Sequence, residues 1–169
     1  MKQWLILVLG LALAGVNFGC AGYRLGSMLP PDIKTVYVPT IVNKSSEPQV
    51  ESDITQALIQ DIQRDGSLRV VSEDQADTVL VVTLRNYTLE PVAYRTDQRT
   101  SAREYRIVLN ASMLMTRRGS GAVVVESPSV RGEFVFPVAG DLSSSKLRGL
   151  PPAAEDLAHN IVEKMVEVW

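Results

Sequence analysis

The polar residues whose spacing could serve chemistry in this sequence are arginines. Arg95, Arg99, Arg103 and Arg106 fall in one short stretch, Arg117 and Arg118 follow, and Arg131 lies further on. Guanidinium groups gathered on one surface bind phosphate or carboxylate through paired hydrogen bonds. Arg103, Arg106 and Arg131 are therefore candidate contacts for an anionic ligand if they share a sheet face. A solvated face with Glu104, Glu126 and Glu133 as partners accounts for the same residues, and is the preferred reading. Other chemistry finds no residue set. His159 is the single histidine and Cys20 the single cysteine, so a metal site lacks the ligands it would need. Ser143-Ser144-Ser145 has no Gly-x-Ser-x-Gly frame. Gly119-Ser120-Gly121 is too short to cradle a phosphate. Asp53, Asp61 and Asp65 recur along one predicted helix, where acidic residues on a solvated face are the default. No catalytic residue, cofactor or metal is expected, and the chain reads as a non-enzyme.

Cys20 divides the sequence. Ahead of it stand Lys2, an apolar run from Trp4 to Val16 and the small residue Gly19, the layout of a secretory signal. The run falls short of the roughly 20 apolar residues that span a bilayer. A cysteine directly after such a run resembles the processing site of bacterial lipoproteins. That resemblance implies cleavage before Cys20, a diacylglycerol thioether on its sulfur and an acyl chain on its new amine. Asn17 stands where an apolar residue is usual, and ordinary secretion with a free thiol is the alternative. The expected organisation is a signal peptide over 1–19, a lipidated tether over 20–33 and one domain over 34–169. With 17 Lys and Arg against 19 Asp and Glu and no basic run, nucleic-acid binding is not expected. Without Cys20 no thiol remains, so stability must come from burial.

The elements follow from periodicity. Lys34 to Val42 is β-branched and reads as a strand, with Pro39 placing it at an edge or bulge. Asn43–Pro48 is a polar loop. Val50, Ile54, Ala57, Leu58 and Ile62 then fall at helical spacing, and Gly66 is a candidate left-handed C′ residue. Leu68–Val71 is a short strand, followed by an acidic connector over 72–77. Thr78–Leu89 is a long strand closed at Glu90-Pro91, and Val92–Arg99 a loop. Tyr105 to Thr116 alternates with period two and predicts a half-packed antiparallel strand. Arg117–Gly121 is its hairpin turn. The partner runs from Ala122 to Phe136, with a bulge at Pro128. Ala139–Pro152 reads as a turn-rich loop. Leu157, Ala158, Ile161, Val162, Met165, Val168 and Trp169 then line one stripe of a second helix, with His159 at its surface. The expected class is α+β: a two-layer sandwich with two amphipathic helices on one face of a mixed, largely antiparallel sheet of four to five strands.

Taken together, several of these stretches resemble the LPS-assembly lipoproteins of the LptE type. Cys20-Ala21-Gly22-Tyr23-Arg24-Leu25 is similar to that family's lead, with one residue inserted. Leu29–Pro39 is similar to its first strand. The order Asn43–Glu47, the helix from Val50, Asp65–Val71, Asp74–Asp77, and the strand ending at Tyr87, Glu90 and Pro91 follow suit. The resemblance implies a Gram-negative outer-membrane lipoprotein, lipid-anchored on the periplasmic side. It implies a partner, the large β-barrel LptD, which the domain would plug and help to assemble so that lipopolysaccharide reaches the cell surface. It also implies possible contact with lipopolysaccharide itself, and no catalysis. The alternative is another periplasm-facing lipoprotein of similar topology, such as a cell-wall-synthase activator or a secretion-channel component.

Overall fold

The computed structural model describes residues 29–94 and 102–166. The signal segment 1–19, Cys20, most of the tether, Arg95, Arg99, Val168 and Trp169 lie outside the described residues. Strands β1 (Thr35–Tyr37), β2 (Val42–Asn43), β3 (Arg69–Val70), β4 (Thr78–Tyr94), β5 (Ala102–Arg117) and β6 (Val123–Pro137) form one sheet. Its order is β3-β1-β4-β5-β6, with β2 also paired to β4. The pairings of β1 and β2 are parallel, while β4–β5 and β5–β6 are antiparallel. Helices α1 (Val50–Asp65) and α2 (Leu142–Val166) complete the chain.

Local signals explain most boundaries. Helix α1 carries Glu51 and Asp53 in its first turn and Arg64 in its last, matching the helix dipole at both ends. Gly66 closes it at φ 77, its N–H donating to Ile62 O at 3.1 Å; only glycine adopts that backbone without strain. The β5–β6 turn needs the same freedom at Gly121 (φ 69), whose N–H donates to Arg117 O at 2.8 Å.

Three expectations are corrected. The strand expected over 34–42 is two short ones, β1 and β2, lying one after the other along β4. Pro39, between them, has no N–H for a ladder bond. Strand β4 does not end at Pro91 but runs to Tyr94. Its free side explains this: β1 and β2 pair with it only as far as Leu84, and the register with β5 shifts beside Pro91. An unpaired edge with a bulge is where a strand tolerates proline. The turn-rich loop expected over 139–152 is mostly helix, because α2 begins at Leu142 and passes through Pro151 and Pro152. Asp141 starts it by accepting from Ser144 N–H at 2.8 Å, which satisfies one of the first orphan donors. The bulge expected near Pro128 is present, since pairing with β5 moves from Val130 to Ser127 across a register shift.

The core lies between the helices and one sheet face. Leu80, Val82 and Leu84 of β4 and Ile107, Leu109, Met113 and Met115 of β5 point into it, against Ile54, Leu58 and Ile62 of α1 and Leu157 and Ile161 of α2. Helix α2 approaches β6 closely because Gly132 has no side chain: a Cβ there would stand 2.5 Å from the N, Cα and Cβ atoms of Leu157. The same helix closes the outer edge of the sheet. Asp156 Oδ2 accepts from Glu133 N–H at 2.8 Å, and Asn160 Nδ2 donates to Arg131 O at 2.9 Å. An open edge strand would otherwise be a template for pairing with other chains.

Candidate interaction surface

With both helices on one face of the sheet, the other face carries the candidate site. Cross-strand partners lie on the same face, so the pairings Val81–Leu114, Asn86–Asn110–Arg131, Thr88–Val108–Glu133 and Glu90–Arg106–Val135 define it. Its half nearer the β5–β6 turn is partly aliphatic: Val42 is 43 % exposed, and Val81 and Leu114 are 36 % exposed each. The middle is polar. Arg85, beside the β4 bulge, donates from Nε to Ser112 Oγ at 3.1 Å there.

The far half holds the arginines. Arg106 and Arg131 are brought together around one carboxylate. Arg131 donates to Glu133 Oε2 from Nη2 at 2.6 Å and from Nε at 3.2 Å, while Arg106 Nε stands 3.9 Å from the same oxygen. Glu133 is held below the usual carboxylate range, chiefly by the Arg131 hydrogen bond and further by the nearby positive charges of Arg106 and Arg131. Arg106 Nε is buried and makes no hydrogen bond, so its attraction to Glu133 is electrostatic. Arg103 does not join them. It lies where the register between β4 and β5 shifts, between the pairs Ala93–Glu104 and Tyr94–Ala102, and its Nη2 donates to the adjacent Glu104 at 3.1 Å. Arg117 pairs with Asp32, and Arg118 Nε donates to Ala76 O at 2.8 Å, both at the β5–β6 turn.

No set of three or more His, Cys, Asp or Glu side chains suited to a metal occurs among the described residues. His159 is exposed, its Nδ1 lying 3.6 Å from Asp61 Oδ2. A groove of about 420 Å³ beside α1 is lined by Thr40, Ser52, Thr55, Gln56, Ile59 and Gln60 and holds no charged group. Among the described residues no helix is long and apolar enough to cross a membrane. What sequence reasoning missed lies between distant segments: Asp156 and Asn160 on the sheet edge, and the ion pair of Lys146 with Glu47 at 2.7 Å. Neither follows a local periodicity.

An open mixed sheet with two helices packed on one face is a two-layer α+β architecture. The fold is similar to that of the protein XCC0632 from Xanthomonas campestris, at TM-score 0.55 and 7 % identity, over 85 % of this chain and 88 % of that one. It is also similar to a minor lipoprotein from Acinetobacter baumannii, at TM-score 0.52 and 13 % identity, over 79 % and 93 %. No curated protein sequence matches. Residues 33–167 match the family described as LptE, lipopolysaccharide-assembly. The chain belongs to the LptE family.

Proposed function

We propose that this protein is an outer-membrane lipoprotein, tethered through Cys20 on the periplasmic side, that plugs an LptD-type β-barrel and assists its assembly for lipopolysaccharide transport. The observation that carries this reading is the family match over residues 33–167. The uncovered sheet face supports it, since one broad surface remains free for a partner once both helices are spent on the core. Membrane tethering raises the effective concentration of the domain near its barrel, so the contact need not be tight in solution. One acyl chain gives marginal binding and several hold firmly, so a triacylated Cys20 is a stable anchor. On the same reading, Arg106 and Arg131 are the basic residues a phosphate-bearing lipid would meet, in competition with Glu133, while Arg103 would contribute from the start of β5.

The test is extraction of native membranes in mild detergent followed by affinity purification of the protein. A large outer-membrane barrel in stoichiometric amount is the expected companion. Recovery of the domain without a barrel, or with cell-wall synthases in its place, overturns the reading. The tether is tested by Cys20→Ala, which should release a folded domain into the periplasmic fraction, with mass spectrometry of the mature N-terminus reading the modification.

A further inference from the structure

The start of α2 is held to the molecule less firmly than its helical form suggests. Upstream, Val138 N–H donates to Arg103 O at 2.8 Å, the last backbone bond that ties this end of β6 to β5. Downstream, Pro151 and Pro152 lie inside the helix. Neither has an N–H, so the carbonyls of Leu147 and Arg148 have no partner four residues on, and each ring crowds the carbonyl behind it. Such interruptions are where helices bend.

Between these points residues 139–150 are closed on themselves. Gly140, at φ 83, makes the turn. The Ser145 hydroxyl accepts from Ala139 N–H at 3.1 Å and donates to Asp141 O at 2.8 Å, and Arg148 Nη2 donates to Ala139 O at 3.2 Å. The unit could therefore move without losing its own structure. Its apolar grip on the core is limited to two side chains: Leu150 is buried and Leu142 packs partly against the core, while Ser145 and Gly149 add no apolar side chain and Leu147 is 68 % exposed. Beneath it lies an aromatic floor. A Cβ on Gly149 would come within 2.8 Å of Phe136 Cδ1 and 3.3 Å of Ile107 Cδ1, and Tyr105 stacks on Phe136 with centroids 6.4 Å apart. Across the gap to the β2–α1 loop, Lys146 Nζ meets Glu47 Oε1 at 2.7 Å, both side chains only about a quarter exposed.

We propose that residues 139–150 form a flap, attached at Val138 and at Pro151–Pro152 and latched by the Lys146–Glu47 pair. It opens as a unit over Phe136, Tyr105 and Ile107 while the rest of α2 stays packed. The remainder of the helix has reason to stay, since Ala153, Ala154, Leu157, Ala158, Ile161 and Met165 are all fully buried. Local opening of this kind is read by amide hydrogen exchange.

The experiment is hydrogen exchange with mass spectrometry on the mature full-length lipoprotein in detergent micelles. The amides of Lys146–Leu150 donate to carbonyls inside the flap and those of Glu155–Met165 to carbonyls from Pro151 onward, so the two groups report separately. Lys146–Leu150 should exchange together and faster. Lys146→Met, which keeps the alkyl stem, should speed that group about tenfold, equivalent to about 1.4 kcal/mol, and leave Glu155–Met165 unchanged. Glu47→Gln should do the same. Replacing Pro151 and Pro152 with alanine restores two ladder donors and should slow it. Equal exchange of the two groups in the native chain overturns the flap. Acceleration of both groups together by Lys146→Met, or an effect of Lys146→Met that Glu47→Gln does not share, overturns the latch.

Discussion

Gly132→Ala is the substitution for which the structure gives the sharpest expectation. A methyl group there would stand 2.5 Å from the N, Cα and Cβ atoms of Leu157, where carbon contacts are ordinarily about 3.5–4.0 Å. Two of those three atoms are backbone, so no rotamer change relieves the overlap. Helix α2 would have to move off β6 by roughly 1 Å, stretching the Asp156 and Asn160 bonds to Glu133 N–H and Arg131 O, now 2.8 and 2.9 Å. Overpacking a core costs about 1–3 kcal/mol, and the loss of two edge bonds at about 1 kcal/mol each puts this case near the upper end. Urea unfolding followed by circular dichroism reads it directly. With a slope of about 1–3 kcal/mol/M, the midpoint should fall by about 1–3 M.

Two companions separate this steric cost from other causes. Gly66→Ala has nothing within 4 Å of its new methyl, and only its positive φ resists it, which costs about 1–2 kcal/mol. A Gly132→Ala effect no larger than that of Gly66→Ala would refute the close-approach argument. Leu157→Ala removes a fully buried side chain at about 2–5 kcal/mol, but it leaves N, Cα and Cβ in place. It should therefore add to Gly132→Ala and not rescue it; rescue would mean that the obstacle is the leucine side chain and not the helix backbone.

Three further outcomes are expected. Asp156→Ala combined with Asn160→Ala uncovers Glu133 N–H and Arg131 O on the β6 edge and should promote self-association, read by light scattering; a double variant that stays monodisperse argues against edge protection. Asp77 accepts from Lys34 N–H, Thr35 N–H and the Thr35 hydroxyl, and these bonds, the Lys34 one foremost, hold its carboxyl below the ordinary value. A depressed pKa contributes stability above the unfolded value, near pH 4, that is lost as pH falls through the folded one. Asp77→Asn should accordingly be less stable at pH 7 and lose less on going from pH 4 to 2, whereas parallel pH profiles would show that the charge is irrelevant. Arg106→Glu with Arg131→Glu should weaken lipopolysaccharide binding most strongly at low salt, and unchanged binding with an intact fold removes these arginines from any lipid site.

Helix α1 and the β5–β6 hairpin were legible because their signals are local. The apolar spacing from Val50 to Ile62 ends at a glycine that must be left-handed, and the alternation from Tyr105 to Thr116 states which side is buried. Proline misled at three places for one reason: its consequence depends on what stands next to it. Pro39 splits a strand whose neighbour continues, Pro91 is harmless on a free edge, and Pro151–Pro152 lie inside a helix that earlier residues had already begun. Sequence offered Arg103, Arg106 and Arg131 as one cluster only on the condition that they share a face, and the strand register meets that condition for Arg106 and Arg131. Sequence could not assign Glu133 to both arginines, since that depends on a register between two strands. Lys146 and Glu47 were beyond reach altogether, because nothing local links the start of one helix to the loop before another.

The outer face also constrains what can cover it. A surface meant for lipid tails would be apolar throughout, because an unpaired charge in hydrocarbon is expensive. This face has Val42, Val81 and Leu114 at one end, uncharged Thr83, Ser112, Asn86 and Asn110 between, and two arginines sharing Glu133 beside Glu90 at the other. Only part of its charge is paired within the face, Arg131 on Glu133 with Arg106 close by, while Arg85 meets the uncharged Ser112 hydroxyl, so a facing wall would supply mainly hydrogen-bonding groups and water. The lumen of a transmembrane β-barrel is polar in that way. A face on which arginines and glutamates are interspersed also gives little long-range steering, so association with a barrel should respond weakly to salt even where lipid binding by the freed arginines responds strongly. Measuring both on one preparation separates the two roles: a barrel contact as salt-sensitive as the lipid contact would mean that the arginines leave Glu133 to bind the barrel, and the face would then be an ionic interface.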